Sequence, residues 1–188
     1  TIFIGVPTIY RQIIQKTDFT LSDCPSLRYC MSAGEHLSDE MLGLWKDRFN
    51  QDIFEAIGMS ECSYYISHSK NNPIRPGSAG FVQPGHTVKL LDPETLEEVE
   101  DGEEGMICIG EDDPGLFLEY WQLEEETSKS RHDGYFFTGD YARKDEDGYI
   151  WFIGRKDDII NTFGFRVSPH EIERVVKTHD LVADCVAF

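Results

Sequence analysis

Apolar positions come in short bursts along this chain, and their spacing changes character near residue 71. Thr1 to Val6 are apolar and β-branched, and Pro7-Thr8 follow as a helix start, so residues 1–16 read as a strand running into a helix. "LRYCMSAGEHLS" is an apolar segment that stops at Gly34. Ser38 then caps a second helix, with Asp39 and Glu40 in the first turn where the helix dipole favours them. Met41, Trp45 and Phe49 recur at i+4 and mark its inner face. "DIFEAIGMSE" is the next strand, ending on a Gly turn with a hydroxyl and a carboxylate. Strand, helix, strand in this order predicts a parallel α/β sheet.

Beyond Asn71 the pattern turns to hairpins. "PIRPGSAGFVQPG" is rich in Pro and Gly, and "HTVKLLDPETLEEVEDGEEGMICIG" holds two strand runs around turn signals. "YFFTGDYARKDEDGYIWFIGR" is a further hairpin with Asp147-Gly148 in its turn. From Asp157 the pattern gives a strand, a Gly-containing loop and a helix opened by the capping box Ser168-Pro169-His170-Glu171, with Ile172, Val175 and Val176 as its apolar face. "DCVAF" reads as the middle of a strand, and a chain cut at both ends is the plain expectation. The fold class expected is α/β plus antiparallel β. Residues 1–70 form the end of a parallel α/β portion, 71–155 a small β-barrel-like unit, 156–158 a hinge, and 159–188 the start of a truncated α+β domain.

Composition narrows the function. With 188 residues and a formal charge of −18, the chain does not offer the clustered Lys and Arg that a phosphate backbone attracts, so nucleic acid is excluded as partner. Eight of the thirteen residues from Asp92 to Glu104 are acidic, which reads as a solvated hairpin. No apolar run approaches the roughly 20 residues of a membrane span. The five cysteines (24, 30, 62, 108, 185) show no CxxC spacing and an odd count, which points to reduced thiols in the cytoplasm rather than zinc or disulfides. His68, His86, His132 and His179 lack ligand spacing and read as surface or structural.

Three Gly-containing stretches carry candidate chemistry. "SAGEH" (32–36) can offer a backbone edge to a flat ring, and "GMSE" (58–61) sets Ser60, a donor for phosphate, beside Glu61, a hard oxygen ligand suited to Mg²⁺. "TGD" (138–140) can aim a carboxylate at a pair of hydroxyls, as acidic residues do toward a ribose in dinucleotide folds. In this order and spacing the stretches resemble the adenylate-forming superfamily of acyl-CoA synthetases, peptide-synthetase adenylation domains and luciferases, and the resemblance covers essentially the whole chain. "SAGEHL" looks like the Gly-Glu-Pro type adenine loop, "EAIGMSE" like the Tyr-Gly-x-Thr-Glu motif and "EEGMICIG" like the Gly-Glu-Leu strand. "YFFTGDYARKDEDGYIWFIGRKDDII" and "NTFGFRVSPHEIE" match the two later blocks, which are the more specific.

The resemblance implies roles. Gly34, Glu35 and His36 line one side of adenine, and Glu55 faces its exocyclic amine. Ser60 holds the α-phosphate and Glu61 the Mg²⁺. Asp140 takes the ribose hydroxyls with Arg155 beside it, Asp157 is the hinge, Phe163 and Gly164 lie along the pantetheine, and Arg166 points at phosphate. The family's adenine-stacking Tyr is Ile57 here, which covers the ring but forgoes about 1 kcal/mol of stacking. Ile57-Gly58 with "SAGE" looks most like the benzoate–CoA ligase and medium-chain acyl-CoA synthetase branch, with Gly58 removing a wall of the acyl pocket. The implied reaction joins a small carboxylic acid to coenzyme A using ATP and Mg²⁺. Two alternatives remain: loading of a carrier-protein pantetheine, and a non-catalytic nucleotide-binding relative. The family's phosphate-grasping loop and late catalytic Lys are missing, so these residues alone are expected to be inactive. Apolar edges at 1–6 and 182–188 are expected to favour self-association.

Overall fold

The computed structural model describes residues 1–34, 37–162, 165–179, 181–182 and 185–187. The chain divides into two compact units, Thr1–His86 with Pro114–Phe117, and Thr87–Asp113 with Leu118–Phe188.

In the first unit, strand β1 (Ile2–Gly5) leads into helix α1 (Pro7–Lys16), then β2 (Tyr29–Ala33), α2 (Asp39–Phe49) and β3 (Ile53–Ile57). β1, β2 and β3 pair in parallel, as the strand–helix–strand order requires. Short strands β4 (Ile66–Ser67) and β5 (Phe81–Val82) extend the sheet antiparallel. Its core is aromatic: Trp45 stacks on Phe49 with centroids 4.1 Å apart and meets the edge of Tyr10 at 4.7 Å. Tyr10 is wholly buried, and its hydroxyl donates to the Met31 carbonyl at 2.8 Å, so the polar tip is satisfied inside the core. α2 starts where the sequence says it should: the Ser38 hydroxyl accepts from the Met41 N–H at 3.3 Å, and Met41, Trp45 and Phe49 are buried. It stops at Asn50, in the left-handed region at φ 49°. On β1, Ile2 and Ile4 are exposed.

The second unit is an antiparallel sheet in the order β10-β9-β7-β6, formed by β6 (Val88–Leu91), β7 (Glu104–Gly110), β9 (Tyr135–Lys144) and β10 (Ile150–Arg155). A two-residue strand, β8 (Arg131–His132), adds to β9, and the six-residue helix α3 (Glu124–Lys129) precedes it. Leu91, Met106, Cys108, Tyr141, Ile153 and Ile159 form its core. Residues 94–98 and 100–104 of the acidic stretch are exposed, and Lys89–Glu98 (3.1 Å) and Lys144–Asp101 (2.9 Å) tether it. The β9–β10 turn is organised by Asp145: one carboxylate oxygen accepts from Asp147 N at 3.1 Å and Tyr149 N at 2.9 Å, the other from the Trp151 indole at 2.9 Å. In residues 118–123, Leu118, Trp121 and Leu123 are exposed.

After Arg155 a turn leads to β11 (Ile160–Thr162), which pairs antiparallel with β12 (Phe165–Val167), and helix α4 (Pro169–Val176) follows. β12 and α3 are additions to the expected pattern. The strand expected at "DCVAF" does not form among the described residues 185–187; Ala187 N donates to Glu173 Oε1 at 3.1 Å instead. No helix among the described residues is long and apolar enough to cross a membrane.

Candidate functional site

Each unit carries its own constellation. In the first, Gly34 ends β2 at φ 97°, a conformation L side chains rarely adopt. Glu35 and His36 lie outside the described residues. Glu55 sits in β3 opposite Ser32 and is only 7% exposed. One of its carboxylate oxygens accepts from the Leu37 N–H at 3.0 Å, so a buried carboxyl group fastens the backbone just ahead of α2. Ile57 closes β3, half-buried, paired with Ile66.

Beyond Ile57 the chain makes a tight turn. Met59 N donates to the Cys62 carbonyl at 2.9 Å, and Phe117 N to the Glu61 carbonyl at 2.7 Å. This leaves Ser60 exposed and Glu61 half-buried at a fixed bend. Gly58 has a packing reason that the sequence reading did not foresee. A Cβ there would lie 2.5 Å from Tyr64 N and 2.8 Å from Tyr64 Cδ1. The space freed by the missing side chain is filled by Tyr64.

Behind Glu55 lies a second polar residue. The Glu55 carbonyl accepts from His68 N at 3.0 Å, and the wholly buried His68 ring meets Ser78 Oγ through Nε2 at 3.1 Å. The Ser78 hydroxyl donates to the Arg75 carbonyl at 3.0 Å, leaving a lone pair for the histidine N–H. Burial pushes the His68 pKa down, against the opposing pull of the Glu55 charge and the Arg75 carbonyl.

In the second unit, Asp140 and Arg155 are brought together. They are direct partners across β9 and β10, with Arg155 Nε 3.8 Å from Asp140 Oδ1. The Asp140 side chain is 14% exposed and that of Arg155 is 66% exposed, so the pair is open on the arginine side. At that exposure the ion pair itself contributes at most about 1 kcal/mol. Asp140 is presented by an irregularity: Met106 faces Tyr141 and Cys108 faces Phe137, so Ile107 alone opposes Thr138, Gly139 and Asp140. Bulges commonly re-aim a side chain in this way. Gly139 takes φ 79°, and its carbonyl accepts from Lys156 N at 2.7 Å.

Asp157 is exposed in the turn after Arg155, flanked by bonds from Asp158 N (3.0 Å) and Ile159 N (3.1 Å) to the Arg155 carbonyl. The Arg166 backbone pairs with Asn161, and its side chain lies outside the description, as do Phe163 and Gly164. Sequence reasoning missed Leu37, Tyr64, His68 and Thr138. Thr138 could have been found, since it opens the Thr-Gly-Asp triplet; the others carry no local signal.

A family model described as AMP-binding enzyme matches residues 1–121. Mouse (Mus musculus) acyl-coenzyme A synthetase ACSM3, mitochondrial, is 34% identical over 186 residues, 98% of this chain and 32% of the relative. The crystal structure of an anthranilate CoA ligase, AuaEII, in complex with anthranoyl-AMP superposes with a TM-score of 0.86 at 35% identity, covering 99% of this chain and 36% of that one. A benzoate CoA ligase from Burkholderia xenovorans LB400 gives 0.85 at 29% identity, covering 99% and 37%. The chain thus spans about a third of the length of the proteins it matches.

Proposed function

The chain belongs to the AMP-binding enzyme family, and from that premise we propose that the protein carrying it is an AMP-forming acid–thiol ligase. It joins a carboxylic acid to ATP, giving an acyl-adenylate and pyrophosphate, and then transfers the acyl group to the thiol of coenzyme A. The acid's oxygen attacks the α-phosphorus directly, so no protein nucleophile is required, and the protein's work is positioning and charge neutralisation. Similarity to acyl- and aryl-CoA ligases along nearly the whole chain supports the reaction class.

The residue roles follow that reading. Gly34 with Glu35 and His36 edges the adenine, Ile57 covers its face, and Glu55 accepts from its exocyclic amine. Ser60 donates to the α-phosphate. Glu61 would hold Mg²⁺, which takes one or two carboxylates from a protein and fills its other positions with phosphate oxygens and water. One half-buried carboxylate on a fixed bend suits that demand. Held there, Mg²⁺ would supply neutralisation of phosphate charge. Asp140 takes the ribose hydroxyls, with Arg155 beside it and Arg166 toward phosphate. Asp157 is the hinge for the reorientation between the two half-reactions, and Phe163 and Gly164 flank the pantetheine. The likeness to benzoate and anthranilate ligases supports an aromatic acid as substrate, and five free thiols support a reducing compartment, the cytoplasm.

The observation that carries the reading is the bulge that holds the Asp140 carboxylate beside Arg155. The test is pyrophosphate release by a protein carrying this chain at the length of its relatives, with ATP, Mg²⁺, CoA and a panel of benzoate, medium-chain and short-chain acids. Acid-dependent release with thioester formation is expected, with benzoates preferred. Asp140→Asn should raise KM for ATP roughly tenfold to a hundredfold through loss of charge-assisted hydrogen bonds. Folded protein that binds ATP yet releases no pyrophosphate with any acid would overturn the ligase reading.

A further inference from the structure

We propose that Thr138 is a positioning residue for the ribose: its hydroxyl clasps the bulge and so sets the aim of the Asp140 carboxylate. The inference rests on the reading that Asp140 takes the ribose hydroxyls, and goes beyond it by naming what holds that carboxylate in place.

In an even antiparallel ladder each residue faces one partner and its backbone groups are spoken for. Here three residues of β9 face Ile107 alone, and the local backbone must find partners elsewhere. Thr138 Oγ1 donates to the Ile107 carbonyl at 2.8 Å and accepts from the Asp140 N–H at 3.1 Å. One oxygen thereby spans the bulge from the facing strand to the residue that carries the carboxylate. Thr138 is 6% exposed, so water cannot readily replace either bond. On the other side, Lys156 N holds the Gly139 carbonyl at 2.7 Å. Gly139 itself has open space where a Cβ would stand, so these bonds and its positive φ help to define the loop. Removing the hydroxyl frees the peptide that precedes the Asp140 side chain. The carboxylate then loses its fixed direction relative to Arg155.

The experiment uses the full-length protein carrying this chain and compares ATP with 2′,3′-dideoxy-ATP in the wild type, Thr138→Val, Thr138→Ser and Asp140→Asn. Wild type should prefer ATP. Thr138→Val should bind ATP roughly tenfold or more weakly while keeping its affinity for dideoxy-ATP, since the lost bonds serve only the ribose contact. Thr138→Ser, which keeps the oxygen, should retain the preference. A folded Thr138→Val with the wild-type preference overturns the proposal, and so does a Thr138→Ser that loses it along with the valine variant. Asp140→Asn separates the two levels: if it keeps the wild-type preference, the ribose role of Asp140 fails, and the Thr138 inference with it. Hydrogen exchange at the Asp140 amide reads the clasp without nucleotide. Roughly tenfold faster exchange in the valine variant and wild-type exchange in the serine variant are expected; equal protection in all three overturns the clasp.

Discussion

Gly58 and Gly139 show how one substitution can fail for two different reasons. At Gly58 an added methyl would press on the Tyr64 backbone at 2.5 Å, a contact that only movement of the 58–64 turn could relieve. Gly58→Ala should therefore lower stability by about 2 kcal/mol. The check is a reduced urea midpoint with an unchanged slope; a neutral result would mean that the turn yields freely. At Gly139 there is room for a methyl, but φ is 79°, so Gly139→Ala costs about 1 kcal/mol from the backbone alone. Both glycines stand out in the sequence, but the causes do not. A string of letters marks where a side chain is missing and says nothing of what fills the gap. Glu55 was legible as a site candidate for the same reason that its bond to Leu37 was not: its partner lies eighteen residues away and is a backbone amide.

Helices and strands long enough to repeat were readable. α2 followed from Ser38 and the i+4 row of Met41, Trp45 and Phe49, and Ser38→Ala should cost about 1 kcal/mol, measured by denaturation. The β9–β10 hairpin followed from Asp147-Gly148, yet the residue that organises it is Asp145, whose carboxylate takes three donors. Asp145→Ala should destabilise the second unit by about 2 kcal/mol, and more than Asp147→Ala. β12 and α3 escaped because three and six residues are too few to display a period. The bulge at Thr138–Asp140 escaped because register is a property of two strands, and no single strand records it.

For the molecule as a whole, the change from helical to hairpin spacing after Asn71 accompanies the change from a parallel to an antiparallel sheet, while the compact units part between His86 and Thr87. What the chain could not announce was how deeply His68 is buried. His68 is held below its ordinary pKa of 6.5 by burial, with the Glu55 charge and the Arg75 carbonyl pulling the other way. The unfolded chain thus takes up a proton at a pH where the folded ring stays neutral. The stability this provides is complete above pH 6.5 and is lost as pH falls toward and through the folded value. Denaturation midpoints should therefore drop more steeply below pH 6.5 in the wild type than in His68→Asn; parallel profiles would exclude the histidine as the cause.

The aromatic core of the first unit also has an optical consequence. The chain's three indoles are divided between the units, with Trp45 in one and Trp121 and Trp151 in the other. Trp45 is 2% exposed and pressed against Phe49, whereas Trp121 is 81% exposed. Emission from Trp45 should be blue and shielded from acrylamide, and emission from Trp121 red and readily quenched. Within these 188 residues, replacing Trp121 and Trp151 with Phe would leave Trp45 as the single indole, reporting on the α/β unit.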